Sequence, residues 1–347
     1  MDRVIKIDGI GSFTELKEKV LSFPTDREEM WPYLEKEVLP EIDMARWAVD
    51  LLEELPGGSF SSFGSLARGL GSERAARAVG ELAASGKLAR FGARLVYSDG
   101  RIPDSVAEES GCESPRIAPE LIVKFEARDP PLGTLSLLQD RLIPFLREER
   151  AVNLDIAAGL DISSRDDIHT SAMAVMDRAG SPVDGIVHTG RPGIPYVPGL
   201  LFYREAPLLL PLVRKGIEKG LIDDSVLLVL DGNGILHPRR IGIACQIGII
   251  TGTRTCGIAK KLMLGRISHP KRDSDEKVIS EVSEGEEVLG WEMRMKGLRP
   301  VYLSRGHRTD LLSAAPVIRD LWRTRVPEPT RTAHIMANEH RRSETPP

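Results

Sequence analysis

The stretch "SVLLVLDGNGIL", residues 225–236, constrains the fold more than any other part of the chain. Its unbroken run of valine and leucine is typical of a strand that is buried on both faces. Three strand-like segments precede it, "VNLDIAAGLDIS", "TSAMAVMDRAG" and "VDGIVHTG", followed by a helix to about Gly220. A helix, "PRRIGIACQIGIITG", and a strand, "TRTCGIAKKLM", come next. Strands that lead into alternating helices and strands predict an α/β fold with a mixed sheet flanked by helices.

The segments after this strand extend the same domain. "EVLGWEMRM" and "PVYLSRGHR" predict further strands, and "LLSAAPVIRDLW" predicts a closing helix. We therefore assign residues 126–330 to one α/β domain. The polar residues 331–347 are predicted to form a disordered tail.

The N-terminal part of the chain has a different pattern. In residues 41–102, "EIDMARWAVDLLEEL", "SFSSFGSLARGLG" and "SERAARAVGELAASGKL" predict three helices, and "ARLVYSDGR" predicts a strand with an Asp-Gly turn. This order predicts a small winged-helix domain. Residues 1–40 are interpreted as a leader of one or two helices with no assigned role. The polar, proline-containing residues 103–125 are interpreted as a linker.

Composition limits the classes of partner and the cellular setting. A chain of 347 residues is long enough for two domains, and its net charge of −4 excludes a global basic surface for nucleic acid. Any such contact must come from local patches. Three cysteines without metal-ligand spacing indicate reduced thiols in a cytoplasmic protein. No apolar run approaches the ~18 residues of a membrane span, so no membrane partner is expected.

Three acids end apolar elements, namely Asp161 in "AGLDIS", Glu205 in "FYRE" and Asp231 in "LVLDGNG". Burying an unpaired acid is costly, so each is either capped locally by an arginine or backbone amide or shares a cation. Two strand-borne carboxylates at the same end of one sheet suit Mg²⁺. Such a cation can polarise a phosphodiester and lower the pKa of an attacking water.

Other polar groups gather at the ends of the same elements. They are candidates for phosphate contacts or simply solvated surface charges, and comprise His237, Arg239, Arg240, Lys260, Lys261, His307 and Arg308. A separate feature is the turn Pro195–Tyr196–Val197–Pro198. Its two prolines exclude a regular helix or a central strand, so Tyr196 and Val197 are expected on a stiff turn.

The segments "AGLDIS", "PYVPGLLFYRE", "LLVLDGNGILHPRRIGIA", "GIAKKL", "PVYLSRGHR" and "PEPTR" occur in this order along the chain. In these motifs residues 155–330 resemble the endonuclease V family, which nicks nucleic acid near deaminated bases, chiefly hypoxanthine. The resemblance implies a ribonuclease H-like fold. It also implies a DNA repair endonuclease that cuts the second phosphodiester 3′ of deoxyinosine with Mg²⁺, for which Mn²⁺ can substitute.

The resemblance also implies roles for single residues. Asp161 and Asp231 fall on the family's metal-binding aspartates, and Glu205 falls on its third catalytic acid, which we include among the metal ligands. Lys260 matches a lysine that steadies the scissile phosphate. His307 matches a late histidine on the water side.

Further roles concern the lesion. Tyr196 and Val197, fixed by Pro195 and Pro198, match the wedge that fills the gap left by a displaced base. The residues implied to line the flipped base are Gly199, Leu201, Gly232 and Gly242. His237, Arg239 and Arg240, in the family's "HPRR" segment, are expected to bind phosphate. Two departures from the family pattern are Asn233 and Gln246, at positions where histidine is common.

Residues 41–102 are similar to the DNA-binding domain of O6-alkylguanine-DNA alkyltransferases and alkyltransferase-like proteins. The similarity lies in "LPGGSFSSFGSLARGLGSERAARAVGELA" followed by "RLVYSDG". Gly92 stands where the family has its acceptor cysteine, so self-alkylation is not expected. Phe63 and Arg77 match residues that contact the flipped nucleotide and enter the base stack. Residues 61–101 carry seven Lys/Arg against three Asp/Glu, which favours a non-catalytic DNA-binding module. A winged helix used only for packing or protein contacts is the alternative.

The sequence leaves three functions open. The first is a metal-dependent endonuclease acting on deaminated DNA, single- or double-stranded. The second is an inosine-specific endoribonuclease, because a contact to the sugar 2′-OH is a local detail. The third is a damage-recognition protein that binds without cutting, against which the acids, Lys260 and His307 argue. Oligomeric state is not indicated by the sequence.

Overall fold

The computed structural model describes residues 3–103, 116–165, 168–268, 271–273 and 277–344, and the chain forms two compact units. The N-terminal unit comprises Met1–Leu138 with the short segment Gly193–Leu200. The C-terminal unit comprises Gln139–Pro192 and Leu201–Pro347.

The N-terminal unit contains helices and a small sheet. Its elements are β1 (Arg3–Ile7), α1 (Gly11–Leu21), α2 (Arg27–Tyr33), α3 (Met44–Glu53), β2 (Phe60–Ser62), α4 (Phe63–Gly69), α5 (Ala76–Ala84), β3 (Leu95–Val96), β4 (Ile122–Ala127) and the start of α6 (Pro131–Leu142). The predicted order of three helices followed by a strand is present as α3, α4, α5 and β3. An Asp99–Gly100 turn follows β3, and the Gly100 amide donates to the Tyr97 carbonyl.

Two strands lie where a leader and a linker were predicted. The sheet has the order β1-β4-β2-β3 with every pair parallel, so residues 1–40 and 103–125 both contribute to it. Val123 and Phe125 of β4 are fully buried, as its alternating pattern requires. Parallel partners far apart in sequence leave no local turn signal, which is why sequence reasoning missed them. Residues 104–115, including Cys112, lie outside the described residues.

The C-terminal unit is an α/β layer structure. Its elements are β5 (Ile156–Arg165), β6 (Ile168–Asp177), β7 (Pro182–Gly190), α7 (Leu201–Glu218), β8 (Val226–Asp231), α8 (Ile243–Thr251), β9 (Arg254–Ala259), β10 (Arg266–Ile267), β11 (Lys271–Asp273), β12 (Lys277–Glu284), β13 (Glu287–Met295), β14 (Val301–Arg305), α9 (Leu311–Asp320) and α10 (Glu328–Glu344).

One mixed sheet organises this unit. Its order is β10-β12-β13-β14-β9-β8-β5-β6-β7, with β11 paired to β12. β5, β8 and β9 are parallel to one another, and the other pairs are antiparallel. The five strands β7-β6-β5-β8-β9 have ribonuclease H-like topology, so the predicted fold class is confirmed. The apolar residues of β8, the strand predicted from its Val/Leu run, are all buried.

Helix α10 lies where a disordered tail was predicted, so that prediction is wrong for residues 331–344. The helix covers residues 328–344, and its Ala333 and Ala337 pack against Ala172 and Ala174 of β6. Its first turn lies directly on β5, because a Cβ on Gly159 would come within 2.1 Å of the Pro329 carbonyl carbon. The tail prediction gave too much weight to polar composition and missed this alanine face.

Within the described ranges, no helix combines the length and apolar character needed to cross a membrane. Cys245 and Cys256 are buried free thiols.

Candidate active site

The register between β5 and β8 brings two acids together. Leu160 of β5 pairs with Leu230 of β8 in a parallel ladder, so the next residues, Asp161 and Asp231, lie side by side. Their side chains are 11% and 26% exposed. Both residues follow the last residue pair of the parallel β5–β8 ladder, at its carboxyl-terminal end.

Glu205 joins this edge from the second turn of α7. Burial, followed by the negative charges of Asp231 and Asp161, raises the pKa of Glu205 from 4.5 to about 8. Burial and the charge of Asp231 likewise raise the pKa of Asp161 from 3.8 to about 6. The three acids therefore repel one another, and a cation would relieve that repulsion.

Lys260 supplies part of the missing positive charge. It follows the last residue of β9, and its ammonium forms an ion pair with Asp231 Oδ2. Burial lowers the pKa of Lys260, but the charges of Asp231 and Asp161 outweigh it and the net shift is upward. The lysine therefore stays protonated beside the acids.

The donor set at this edge fits a hard divalent cation bound together with substrate. Among the described residues, no three His, Cys, Asp or Glu side chains are grouped closely enough to enclose a metal ion. Mg²⁺ does not require such a cage, because it keeps several waters and binds through one or two carboxylates plus phosphate oxygens. The adjacent Asp161 and Asp231 provide those two carboxylates.

His334 is a site residue that sequence reasoning missed. It lies on α10, and its Nδ1 is 2.6 Å from Asp161 Oδ2. A hydrogen-bond network fixes this part of the helix, because Ser163 Oγ donates to Asn338 Oδ1 at 2.7 Å and Asn338 Nδ2 donates to the His334 carbonyl at 2.9 Å. The helix-start signal in Pro327–Glu328 and the Ala333–Ala337 spacing could have revealed it.

His307 lies elsewhere. Its side chain is fully buried, its Nδ1 accepts from the Arg147 amide at 3.3 Å, and its own amide donates to Thr255 Oγ1. Thr255 of β9 pairs with Leu228 of β8. Leu228 precedes Asp231 by three residues, so His307 lies about 10 Å from Asp231 along the strand direction. The structure therefore does not bring His307 to the acids, contrary to its predicted catalytic role. Its place in a sequence motif did not reveal which end of the sheet it occupies.

The "HPRR" segment already has internal partners. His237 is buried, and its Nδ1 accepts from the Arg239 amide at 3.2 Å. Arg239 forms an ion pair with Asp140, and Arg240 pairs with Glu284 at 2.6 Å. Both arginines would have to exchange these carboxylates for phosphate in the predicted role.

The proline-flanked turn presents one of its two predicted wedge residues. Tyr196 is 46% exposed, whereas Val197 is fully buried. Gly199 adopts a φ of +89°, which favours glycine. Val197 therefore cannot enter a base stack from this conformation, and only Tyr196 is presented to solvent.

Local packing also requires glycine at Gly232 and Gly242, two further positions predicted to line the flipped base. A Cβ on Gly242 would lie 2.1 Å from the Asn233 carbonyl oxygen, and one on Gly232 would lie 2.5 Å from Ile243. Leu201 also approaches Gly232, with its Cδ2 3.5 Å from that Cβ position. These contacts hold the loop after β8 against the start of α8.

The two departures from the family pattern are polar groups in this same region. Gln246 Nε2 donates to the Ile241 carbonyl at 3.1 Å. The side-chain carbonyl oxygens of Gln246 and Asn233 are buried without a hydrogen-bond partner among the described residues.

The N-terminal unit has a pocket of its own, of about 600 Å³. It is lined in part by Phe63, Arg77, Gly92, Leu95 and Tyr97. The Phe63 and Tyr97 rings are 5.6 Å apart, and the Arg77 side chain is 89% exposed with Glu81 3.4 Å away. The residues that sequence reasoning singled out in this unit therefore share one concave surface.

A ribonuclease H-like sheet with adjacent carboxylates and a lysine at the edge of its central strands defines a nuclease class. The sequence profile of the family described as Endonuclease V matches residues 143–335, more than half of the chain. The chain belongs to the endonuclease V family, and it is accordingly an endonuclease, a metal-dependent phosphodiester hydrolase. Residues 1–142 lie outside the match.

Individual relatives agree with this assignment. The endonuclease V of Ignicoccus hospitalis is 33% identical over 212 residues, which are 60% of this chain and 94% of that protein. The endonuclease V of Xanthomonas oryzae pv. oryzae is 35% identical over 198 residues, which are 56% of this chain and 81% of that protein.

Solved structures show the same fold. Endonuclease V from Streptomyces avermitilis has 29% identity and a TM-score of 0.54, covering 62% of this chain and 94% of that one. The catalytic domain of human endonuclease V has 26% identity and a TM-score of 0.53, covering 62% and 98%. The Ciona intestinalis enzyme, at 22% identity, shares the fold and was solved with a 24mer DNA containing an inosine followed by a ribo-adenosine.

Proposed function

We propose that this protein is a DNA repair endonuclease that uses Mg²⁺, or Mn²⁺ in its place, to nick the second phosphodiester 3′ to deoxyinosine. The observation that carries the proposal is the pair Asp161 and Asp231, held side by side by the β5–β8 register with Lys260 beside them. The family membership and the inosine-containing DNA bound by the Ciona relative support the choice of substrate.

The residues at this edge have complementary roles. Asp161 and Asp231 would hold the cation, which when bound polarises the phosphate and lowers the pKa of water. His334 keeps Asp161 oriented through its Nδ1 contact. Lys260 exchanges Asp231 for a substrate phosphate oxygen. Burial and the charges of Asp231 and Asp161 raise the pKa of Glu205 to about 8, so it would accept a proton from water once a bound cation offsets those charges.

Tyr196 is the proposed wedge. It is exposed on a turn stiffened by Pro195 and Pro198, so it loses little conformational freedom when it enters the gap left by a displaced base. The flipped base is proposed to contact Gly199, Leu201, Gly232 and Gly242.

The N-terminal unit is proposed to be a non-catalytic DNA-binding module of alkyltransferase-like type. Its pocket carries the exposed Arg77 at the rim, and Gly92 offers no thiol to accept an alkyl group. A DNA-bound module raises the effective concentration of the nuclease near its substrate. A cytoplasmic setting with reduced thiols is consistent with the buried free Cys245 and Cys256.

The test is nicking of an end-labelled duplex that carries one deoxyinosine, in Mg²⁺ and in chelator. Matched duplexes with deoxyadenosine or O6-methylguanine, and a matched inosine RNA, serve as controls. We expect one Mg²⁺-dependent nick, one nucleotide beyond the inosine's own 3′ phosphodiester. Cutting of the RNA alone would assign an endoribonuclease. Binding of the lesion without any nick would assign a damage-recognition protein.

A further inference from the structure

Arg325 combines two features among the described arginines of the C-terminal unit, namely a buried guanidinium nitrogen, Nε, without a hydrogen-bond partner and the lack of any ion pair. Neighbouring arginines differ, since Arg323 donates to the Ala179 carbonyl and Arg331 pairs with Glu328 at 3.2 Å. A half-buried guanidinium with unused donors is costly unless an anion completes it.

The connection that carries Arg325 leads to the acid edge. Arg325 lies in the short connection between α9 and α10, which is closed by the Glu328 amide donating to the Leu321 carbonyl at 2.9 Å. Its neighbour Val326 packs against the core that includes Val229 of β8 and Ile258 of β9. The chain then continues onto β5 at Gly159, two residues before Asp161.

The positive charge of Arg325 acts on Lys260. The two cations are close enough for their charges to interact, and of the two only Lys260 has a carboxylate partner among the described residues. Like charges are held together in this way when an anion binds between or beside them. A guanidinium group can bind two phosphate oxygens through two parallel hydrogen bonds, so phosphate is the anion that fits Arg325 best.

We infer that Arg325 is a substrate-binding residue that holds a backbone phosphate of the nucleic acid next to the bond that is cut. The inference rests on the proposed function of the acid edge. Lys260 and Arg325 then both contact the nucleic-acid strand, and no acid among the described residues competes for Arg325.

The first experiment measures binding rather than cutting. Wild type, Arg325→Gln, Arg325→Lys and the control Arg323→Gln bind a labelled deoxyinosine duplex in chelator over a range of KCl concentrations. Each phosphate contact contributes about 0.9 to the slope of log affinity against log salt. We expect Arg325→Gln to lose about that much slope and about tenfold in affinity at low salt. Arg325→Lys should retain the slope, and Arg323→Gln should match wild type.

A second experiment locates the phosphate. Neutral methylphosphonate linkages replace the phosphates around the cut site one at a time. At one position the wild type should lose affinity while Arg325→Gln loses none beyond its existing deficit, because the same contact cannot be removed twice.

The outcomes separate the two claims. A wild-type salt slope in Arg325→Gln, or equal losses from methylphosphonates in both proteins, overturns the inference even if cutting at deoxyinosine is intact. A wild-type protein that neither binds nor cuts the duplex overturns the proposed function itself, and the inference falls with it. Thermal unfolding of each variant shows whether a loss comes from misfolding, and Arg325→Lys keeps the test available if Arg325→Gln is unstable.

Discussion

Asp231 and Asp161 lie next to each other because of one backbone register, in which Leu160 pairs with Leu230. A shift by one residue would turn one of the two carboxylates to the opposite face of the sheet. At the residue scale the chemistry therefore depends on strand pairing, and on three side chains that respond to the resulting negative charge. These are Glu205, which gains a proton, Lys260, which pairs with Asp231, and His334, which contacts Asp161.

The raised pKa of Glu205 predicts an unusual dependence of stability on pH. Its pKa is about 8 in the folded protein against an ordinary 4.5, so between these values the folded state binds more protons than the unfolded chain. The metal-free protein should therefore lose stability as the pH rises through this window. Asp161 has the same sign between 3.8 and about 6.

Urea unfolding in chelator at pH 5 and pH 8 checks this. We expect a lower midpoint at pH 8, and a smaller difference in Glu205→Gln, which cannot release the proton. Added Mg²⁺ should stabilise wild type more at pH 8 than at pH 6, because its ligands must be deprotonated. The same pH dependence in wild type and Glu205→Gln would contradict the assignment.

Substitutions of His334 and His307 should affect different properties, the first activity and the second stability. His334→Ala removes the contact to Asp161, and loss of such a support for a metal ligand lowers activity about 10–100-fold. Its thermal stability should change little, because the side chain is 57% exposed. His307→Ala should instead lower the free energy of unfolding by about 1–3 kcal/mol, since it leaves the Arg147 amide without its acceptor.

Single-turnover cutting well below the unfolding temperature, paired with thermal unfolding, makes this comparison. If His307→Ala stayed fully stable and lost cutting while His334→Ala cut normally, the sequence-based role of His307 would be right and the structural placement wrong.

At the scale of elements, α10 is the piece that completes the site. The strands that carry the acids were predictable, because buried apolar runs that end in aspartate have few other interpretations. α10 was not, because its polar composition hid a two-alanine face that packs on β6. Position along the chain also misled the choice of histidine, since His307 follows β14 away from the acids, whereas His334 lies within α10 beside Asp161. β1 and β4 were missed for a related reason, namely that parallel pairing leaves no local signal.

The close approach of α10 to β5 predicts the effect of Gly159→Ala. The new methyl group would meet the backbone of Pro329 and Thr330 at 2.1–2.4 Å, and backbone cannot rotate away. α10 must shift, which weakens the His334–Asp161 contact. We expect a loss of about 1–3 kcal/mol in unfolding free energy together with reduced cutting.

Gly57→Ala is the control for this substitution, because nothing lies within 4 Å of its Cβ position. Denaturant unfolding and cutting rates of the two variants should be compared. Wild-type stability and activity in Gly159→Ala would show that α10 does not rest on β5 as described.

At the scale of the whole molecule, a net negative chain must bind a negative polymer. The net charge is −4, yet residues 61–101 carry seven Lys/Arg against three Asp/Glu. Residues 61–101 are thus a basic patch within an N-terminal unit that is acidic overall, since residues 1–138 carry 17 Lys/Arg against 24 Asp/Glu. A division between DNA binding by this patch and cutting at the acid edge of the C-terminal unit suits the proposed function.

This division predicts that Arg77→Ala changes affinity without changing chemistry. Arg77 is 89% exposed at the rim of the N-terminal pocket, so its loss should raise KM on a long deoxyinosine duplex by roughly tenfold and leave kcat unchanged. A duplex too short to reach both units should show no difference. Steady-state kinetics on both lengths tests this, and an unchanged KM on the long duplex would favour a packing role for the N-terminal unit.

The active-site assignment is tested most directly by comparing Asp231→Ala with wild type in both binding and cutting. Both proteins are given the same deoxyinosine duplex in Mg²⁺, with Asp155→Asn, an exposed acid just before β5, as the matched control. We expect that Asp231→Ala keeps binding the lesion but no longer nicks it, and that Asp155→Asn behaves as wild type. Nicking by Asp231→Ala at the wild-type rate would contradict the assignment of the Asp161–Asp231 edge as the active site.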